Sequence, residues 1–244
     1  MKSQEKNITV KLSDIRCGNH FFIQVVGDEA VTVIDKSMKI FTAESGTDGA
    51  PCDAKVGKIV AALFNDGSGN LWFRAKILEK KGPNAKVLFI DYGNVSTVSI
   101  ATHLRPLDPQ LDVQRIPATA KECVLALTKT RNLDDEDGVE AARFLQQSSW
   151  GAEMTARTFC ENDGKLEVAL YKPNSTTSIN EQLVVDGLAR VMKKKEYYAI
   201  INKLVNPESL TDFADDLTAA EESARRSRTG MWRYGDVGDD DEED

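Results

Sequence analysis

The stretch VGKIVAALFNDGSGNLWFRAKILEKKGPNAKVLFIDYGNVSTV, residues 56–98, decides how this chain is read. Short β-type runs at Lys58–Phe64, Leu71–Lys80, Lys86–Ile90 and Val95–Ile100 alternate with turn formers at Asn65-Asp66-Gly67, Gly82-Pro83-Asn84 and Tyr92-Gly93-Asn94. Short strands so closely spaced predict a small closed β-barrel. The same stretch concentrates rings: Phe64 ends one run, Trp72 and Phe73 lie in the next, and Phe89 and Tyr92 flank Ile90-Asp91. Along a strand Phe89 and Asp91 share a face, and Gly93 permits the positive φ that a turn needs. Rings with open faces attract a cation, each contact contributing roughly 0.5–2 kcal/mol according to desolvation. A methylated guanidinium adds methyl burial and needs fewer acceptors; one amide such as Asn94 can take a remaining N–H. Ring content alone fits a barrel core as well as a cation cage.

Outward from this stretch, Ile8–Leu12 and His20–Val26 predict strands. Glu29–Glu44 predicts a helix with Val31, Ile34, Met38 and Phe41 on one stripe, and Gly46–Ala54 predicts a linker. Beyond the barrel, Ile116–Leu127 reads as strand and Asp137–Gln147 as helix. Glu153–Cys160 and Lys165–Tyr171 read as a hairpin about Asn162-Asp163-Gly164. Ile179–Asp186 predicts a helix closed by Gly187, and Leu210–Arg228 a helix capped by Ser209 and ended by Gly230, docked by Met231, Trp232 and Tyr234.

The run from Val56 to Val98, with W-F-R-A followed by F-I-D-Y-G-N, resembles a Tudor domain. The resemblance implies a cage for symmetrically dimethylated arginine built from Phe64, Phe73, Phe89 and Tyr92, with Asn94 as hydrogen-bond partner. Phe73 and Phe89 stand where the family pattern has tyrosines, so ring faces remain and two hydroxyls are absent. INEQLVVDGLARV (179–191) and AEESARRSRTGMWRYGD (220–236) are similar to segments of staphylococcal-nuclease-like (SN-like) domains. Together the chain resembles the C-terminal extended Tudor module of the Tudor staphylococcal nuclease family. That implies a β-rich α+β fold, with a small Tudor barrel inserted in an SN-like OB unit with helices. The expected organisation is first strands and linker helix of the split SN-like domain at 1–50, Tudor domain at 55–107, remainder of the SN-like domain at 109–235, and an acidic tail at 236–244.

The resemblance also implies dimethylated Arg-Gly partners such as Piwi-class and Sm proteins, and RNA silencing and RISC-linked RNA metabolism in the cytoplasm, with the nucleus as a second compartment. The parent family has endoribonuclease activity in other SN repeats. Cleavage of that kind needs carboxylates for a metal and arginines facing phosphate charge. Val124–Thr130 holds no carboxylate and Lys165–Tyr171 no arginine, so this chain is not expected to be an enzyme. The rival reading is RNA binding through Lys193, Lys194 and Lys195 beside Tyr197 and Tyr198, and through Arg225, Arg226 and Arg228.

Composition bounds the rest. The net charge is −8, but seven of the acids lie in Asp236–Asp244, and setting those aside leaves −1. Such a run repels itself and favours disorder. The four cysteines, Cys17, Cys52, Cys123 and Cys160, form no CxxC pair, and His20 and His103 are the only histidines. Free thiols, no metal site and no cofactor are expected. No run approaches the ~18–20 apolar residues of a membrane span, and no apolar segment follows the polar start, so neither a span nor a secretory signal is expected.

Overall fold

The computed structural model describes residues 2–65, 67 and 69–235; the acidic tail lies outside them. The chain groups into two compact units, one of Met1–Phe21 with Glu122–Asp244 and one of Phe22–Lys121. The dividing point falls inside the second strand, not near residue 50. Strand β1 (Lys6–Cys17) leads to β2 (His20–Val25), and α1 (Glu29–Ser45) follows. Asp28 caps α1 by accepting the Ala30 N–H at 2.9 Å. This helix groups with the strands after it rather than with β1, because its stripe of Ile34 and Met38 packs on Ala61, Leu63 and Trp72.

The inserted unit continues with β3 (Ile59–Asn65), β4 (Asn70–Lys81), β5 (Asn84–Phe89), β6 (Val95–Ser99), a single turn α2 (Ile100–His103) and the two-residue β7 (Leu104–Arg105). Their antiparallel order is β6-β5-β4-β3-β7. Among the described residues the five strands pair as a ladder whose end strands, β6 and β7, are linked by α2. Both faces are covered. Val60, Ala62, Ala75, Ile77, Val87 and Phe89 fill one side, while Ala61, Leu63 and Trp72 meet α1 on the other. A strand buried on both faces loses its apolar-polar alternation, which explains the unbroken IVAALF. Arg105 ties α1 down, donating to the Ser45 carbonyl at 2.7 Å with its guanidinium 5.3 Å from the Trp72 ring.

In the other unit, β8 (Lys121–Leu125), β10 (Met154–Asn162) and β11 (Lys165–Tyr171) complete a closed barrel of order β1-β10-β11-β8-β2. Between them lie β9 (Thr128–Thr130) and α3 (Glu136–Ser149); after them come α4 (Ile179–Val185), β12 (Ala189–Val191), α5 (Lys194–Ile201) and α6 (Glu208–Ser227). The β10–β11 turn has Asp163 at φ 49° and Gly164 at φ 78°, the paired positive angles of a tight hairpin. Gly187 ends α4 at φ 64°, and a Cβ there would lie 2.2 Å from the Thr229 carbonyl oxygen.

Several expectations are corrected. Only Lys121–Leu125 of 116–127 is strand, because the carbonyls of Ile116 and Pro117 face the Arg74 guanidinium instead of a ladder. Pro207, not Ser209, starts α6; the Ser209 hydroxyl accepts from Arg157. Arg228 in the left-handed region closes α6 before Gly230. Met231 and Trp232 are buried as expected, but Tyr234 is 98% exposed and docks nothing. The helix α5 lies where the sequence offered only a basic patch beside Tyr197 and Tyr198.

Candidate functional site

Strand register assembles the ring cluster. Phe64 follows Val60 and Ala62 on one face of β3, Phe73 precedes Ala75 and Ile77 on β4, and Phe89 follows Ala85 and Val87 on β5. Ala62 pairs with Phe73 and Ala75 with Phe89, so the three rings share the sheet's inner face at one end. Tyr92 joins them from the turn. Ring centroids lie 6.4 Å apart for Phe64–Phe73, 5.1 Å for Phe64–Phe89, 6.1 Å for Phe73–Phe89 and 5.4 Å for Phe73–Tyr92. Three of these contacts are near-perpendicular, with Phe73 meeting Tyr92 at 89°. Such edge-to-face pairs set the edge of one ring against the face of the next. Phe89 is 1% exposed and belongs to the core, whereas Phe64, Phe73 and Tyr92 are half-buried. The cluster therefore belongs partly to the core, through Phe89, and partly to the surface, through Phe64, Phe73 and Tyr92. Asn94 is half-buried beside them, its main-chain carbonyl accepting the Phe89 N–H at 2.9 Å.

The turn bearing Tyr92 is held from behind. The N–H groups of Tyr92 and Gly93 both donate to the Phe89 carbonyl, at 3.1 and 2.7 Å. Gly93 has φ 99°, and a Cβ there would sit 2.1 Å from the Phe22 ring, so glycine is required twice over. Beneath the turn, Arg74 and Asp91 form a buried ion pair, with side chains 0% and 3% exposed. Arg74 donates from Nε and Nη2 to the two Asp91 oxygens at 2.8 and 2.6 Å. Its remaining N–H groups reach the carbonyls of Leu111, Ile116 and Pro117. Every guanidinium donor thus has an acceptor. Asp91 also accepts from the Thr119 N–H and hydroxyl, both at 3.1 Å, while Gln24 donates to its main-chain carbonyl at 2.6 Å.

Sequence reasoning named neither Arg74 nor its role. The available signal was a single arginine within the apolar run LWFRAKIL, placed by alternation on the same buried face as Trp72.

The basic residues of the RNA reading lie in the split unit. Lys193, Lys194 and Lys195 are exposed at the start of α5, where the Glu196 carboxylate accepts the Lys193 N–H. Glu196 also holds Lys129 at 2.5 Å and Arg190 at 3.3 Å. Burial opposes its charge, but these hydrogen bonds outweigh burial and hold its carboxyl down to about 2. Tyr197 is buried and Tyr198 exposed. Arg225 lies 4.0 Å from the Trp232 ring centre and 3.4 Å from Glu221, while Arg226 is exposed on α6. On β11, burial pushes the Glu167 carboxyl up to about 7.

A ring-ended sheet inserted in the chain between strands of a closed barrel is the architecture of an extended Tudor module. The Tudor domain family matches residues 2–127, and the chain belongs to that family. It is 29% identical to Ribonuclease TUDOR 1 of Arabidopsis thaliana over 98% of its own length, and spans about a quarter of that protein (25%). The extended Tudor domain of Drosophila melanogaster Tudor-SN superposes with a TM-score of 0.75 at 26% identity, covering 94% of this chain and 100% of that one. The extended Tudor domain TD3 of mouse TDRD1, solved with a MILI peptide containing dimethylarginine 45, shares the fold at TM-score 0.67 and 21% identity, over 79% of this chain and 97% of that one.

Proposed function

We propose that this chain is a methylarginine reader that docks symmetrically dimethylated Arg-Gly motifs of partner proteins, and is not an enzyme by itself. The observation behind the reading is the ring box, with the half-buried walls Phe64, Phe73 and Tyr92 standing over the Phe89 floor. A dimethylguanidinium satisfies such a box through ring quadrupoles and methyl burial, and the Asn94 amide would accept a remaining N–H. Exchange of two tyrosines for Phe73 and Phe89 leaves this chemistry intact, since a ring face needs no hydroxyl. The dimethylarginine peptide bound by the mouse TDRD1 domain supports the same ligand class here.

The partners would be proteins with methylated Arg-Gly motifs, Piwi-class or Sm proteins among them, met in the cytoplasm within a larger protein of RNA silencing and RNA metabolism. Titration with matched peptides tests this: unmodified, asymmetrically and symmetrically dimethylated. Preference for the symmetric form, lost on Tyr92→Ala, is expected; equal affinity for all three would refute the reading.

A further inference from the structure

A cavity of about 130 Å³ adjoins the box on the α1 side. Asp35, Met38 and Lys39 of α1 line it opposite Trp72 and Phe73 of β4 and Tyr92 of the turn. Phe73 and Tyr92 are therefore shared walls, with the box on one side and this cavity on the other.

We infer that the cavity is a second subsite of the same peptide groove, taking an unmodified arginine a few residues from the methylated one, with Asp35 as its carboxylate partner. The inference rests on the methylarginine reading of the box and adds to it the sequence context being read.

Size, charge and rigidity agree on this occupant. Pockets that enclose a whole small molecule run to about 300–1,000 Å³; this one suits a single side chain. Two carboxylates face it, but Asp91 is committed to Arg74 and Thr119. Asp35 is 45% exposed and holds only the Lys39 ammonium of its own helix, at 2.8 Å. An exposed pair of that kind contributes about 0–1 kcal/mol, so an incoming guanidinium can displace Lys39 at little cost. A guanidinium matches a carboxylate with two parallel hydrogen bonds and lies flat on a ring, which an ammonium does not. Met38 and the ring walls supply apolar contact for the arginine stem.

The walls are already in place. Trp72 donates from its indole to the Gly46 carbonyl at 2.6 Å and from its backbone to the Thr42 hydroxyl at 3.0 Å, tying both ends of the contact to α1. Met38 and Ile34 are buried against the same ring.

The experiment is calorimetric titration of the full chain with peptides containing one symmetric dimethylarginine. One peptide has only alanine and glycine flanks. The others place a single arginine at each of the four positions on either side. The readout is the affinity ratio of each arginine peptide to the alanine-flanked one. In one register the wild-type ratio should rise about two- to five-fold, the range of an exposed charge pair. Asp35→Asn should return that ratio to one, and Lys39→Ala, which removes the competing ammonium, should raise it further. A flat scan, or a ratio that survives Asp35→Asn, overturns the second subsite while leaving the box reading standing. Equal affinity of the alanine-flanked peptide and its unmethylated counterpart overturns both.

Discussion

The ring box of the inserted unit and the basic segments of the split unit are built from the same ingredients, aromatic rings and cations, with opposite outcomes. At the box the cation is buried behind the rings: Arg74 spends every donor on Asp91 and three carbonyls, and three ring walls stay half-open. In the split unit, Arg225 covers the Trp232 ring, Glu196 holds Lys129 and Arg190, and Tyr197 is buried. There Trp232, Lys129 and Arg190 meet partners within the fold, while Lys193, Lys194, Lys195 and Tyr198 stay exposed. An interaction surface is defined by what the fold leaves unpartnered, and composition does not report that.

The sharpest way to break this contrast is to remove the buried ion. Arg74→Met leaves Asp91 buried without its cation, and such one-sided losses cost about 3–5 kcal/mol. Chemical denaturation should show that loss in the inserted unit, and peptide binding should fall with it as the Tyr92 turn loosens. An unchanged midpoint would mean the pair is not what holds the box.

Substitutions within the box sharpen the division into floor and walls. Phe89→Ala should cost about 3–5 kcal/mol of stability as a core truncation, so its lost binding would come with a weakened fold. Tyr92→Ala should abolish methylarginine selectivity with less than about 1 kcal/mol of change, in keeping with a partly exposed position. Equal destabilisation by both would erase the distinction.

In the split unit, Glu167 sets a pH dependence. Its folded value is raised to about 7 from 4.5 by burial, so the fold favours the protonated acid. That stability is present below about pH 4.5 and is lost as pH rises toward 7, flattening above. Glu167→Gln should remove this slope and stabilise the protein at pH 8 by up to about 3 kcal/mol. A wild-type melting profile flat from pH 5 to 8 would contradict it.

The smallest effect tests whether the split unit's cations are internally consumed. Glu196 is held down to about 2, so its contribution is present above about pH 4.5 and fades as pH falls toward 2. Glu196→Gln should cost about 1–2 kcal/mol at neutral pH, the scale of hydrogen bonds to a charged group. It should also release Lys129 and Arg190 from Glu196, so that a phosphate-binding role for these cations would show as a gain in salt-sensitive RNA affinity. RNA affinity unaltered by the substitution at low salt would show that these cations were never restrained by Glu196.

Much of the fold was readable because local rules dominate it. The turn signal Asn162-Asp163-Gly164, the stripe of Ile34 and Met38, and Gly187 after α4 all act over a few residues, and the structure follows each. Where long-range partners intervene, the reading fails. Ile116 and Pro117 leave the strand pattern because their carbonyls serve an arginine more than forty positions back. Ser209 gives up its cap because Arg157 reaches it from the barrel.

By itself, the sequence determined which residues had ring chemistry and which short segments were strands, since periodicity and turn chemistry are local. It also placed Phe64, Phe73, Phe89 and Tyr92 as candidates for one cluster. Only the tertiary structure decided that Phe89 is buried and the others half-buried, that Arg74 and Asp91 lie buried beneath them, and that α1 stands beside Tyr92 with Asp35 turned to a cavity. Those outcomes depend on burial and on partners distant along the chain. Both are properties of packed surfaces, set when separate segments compete for the same hydrogen bonds and the same space.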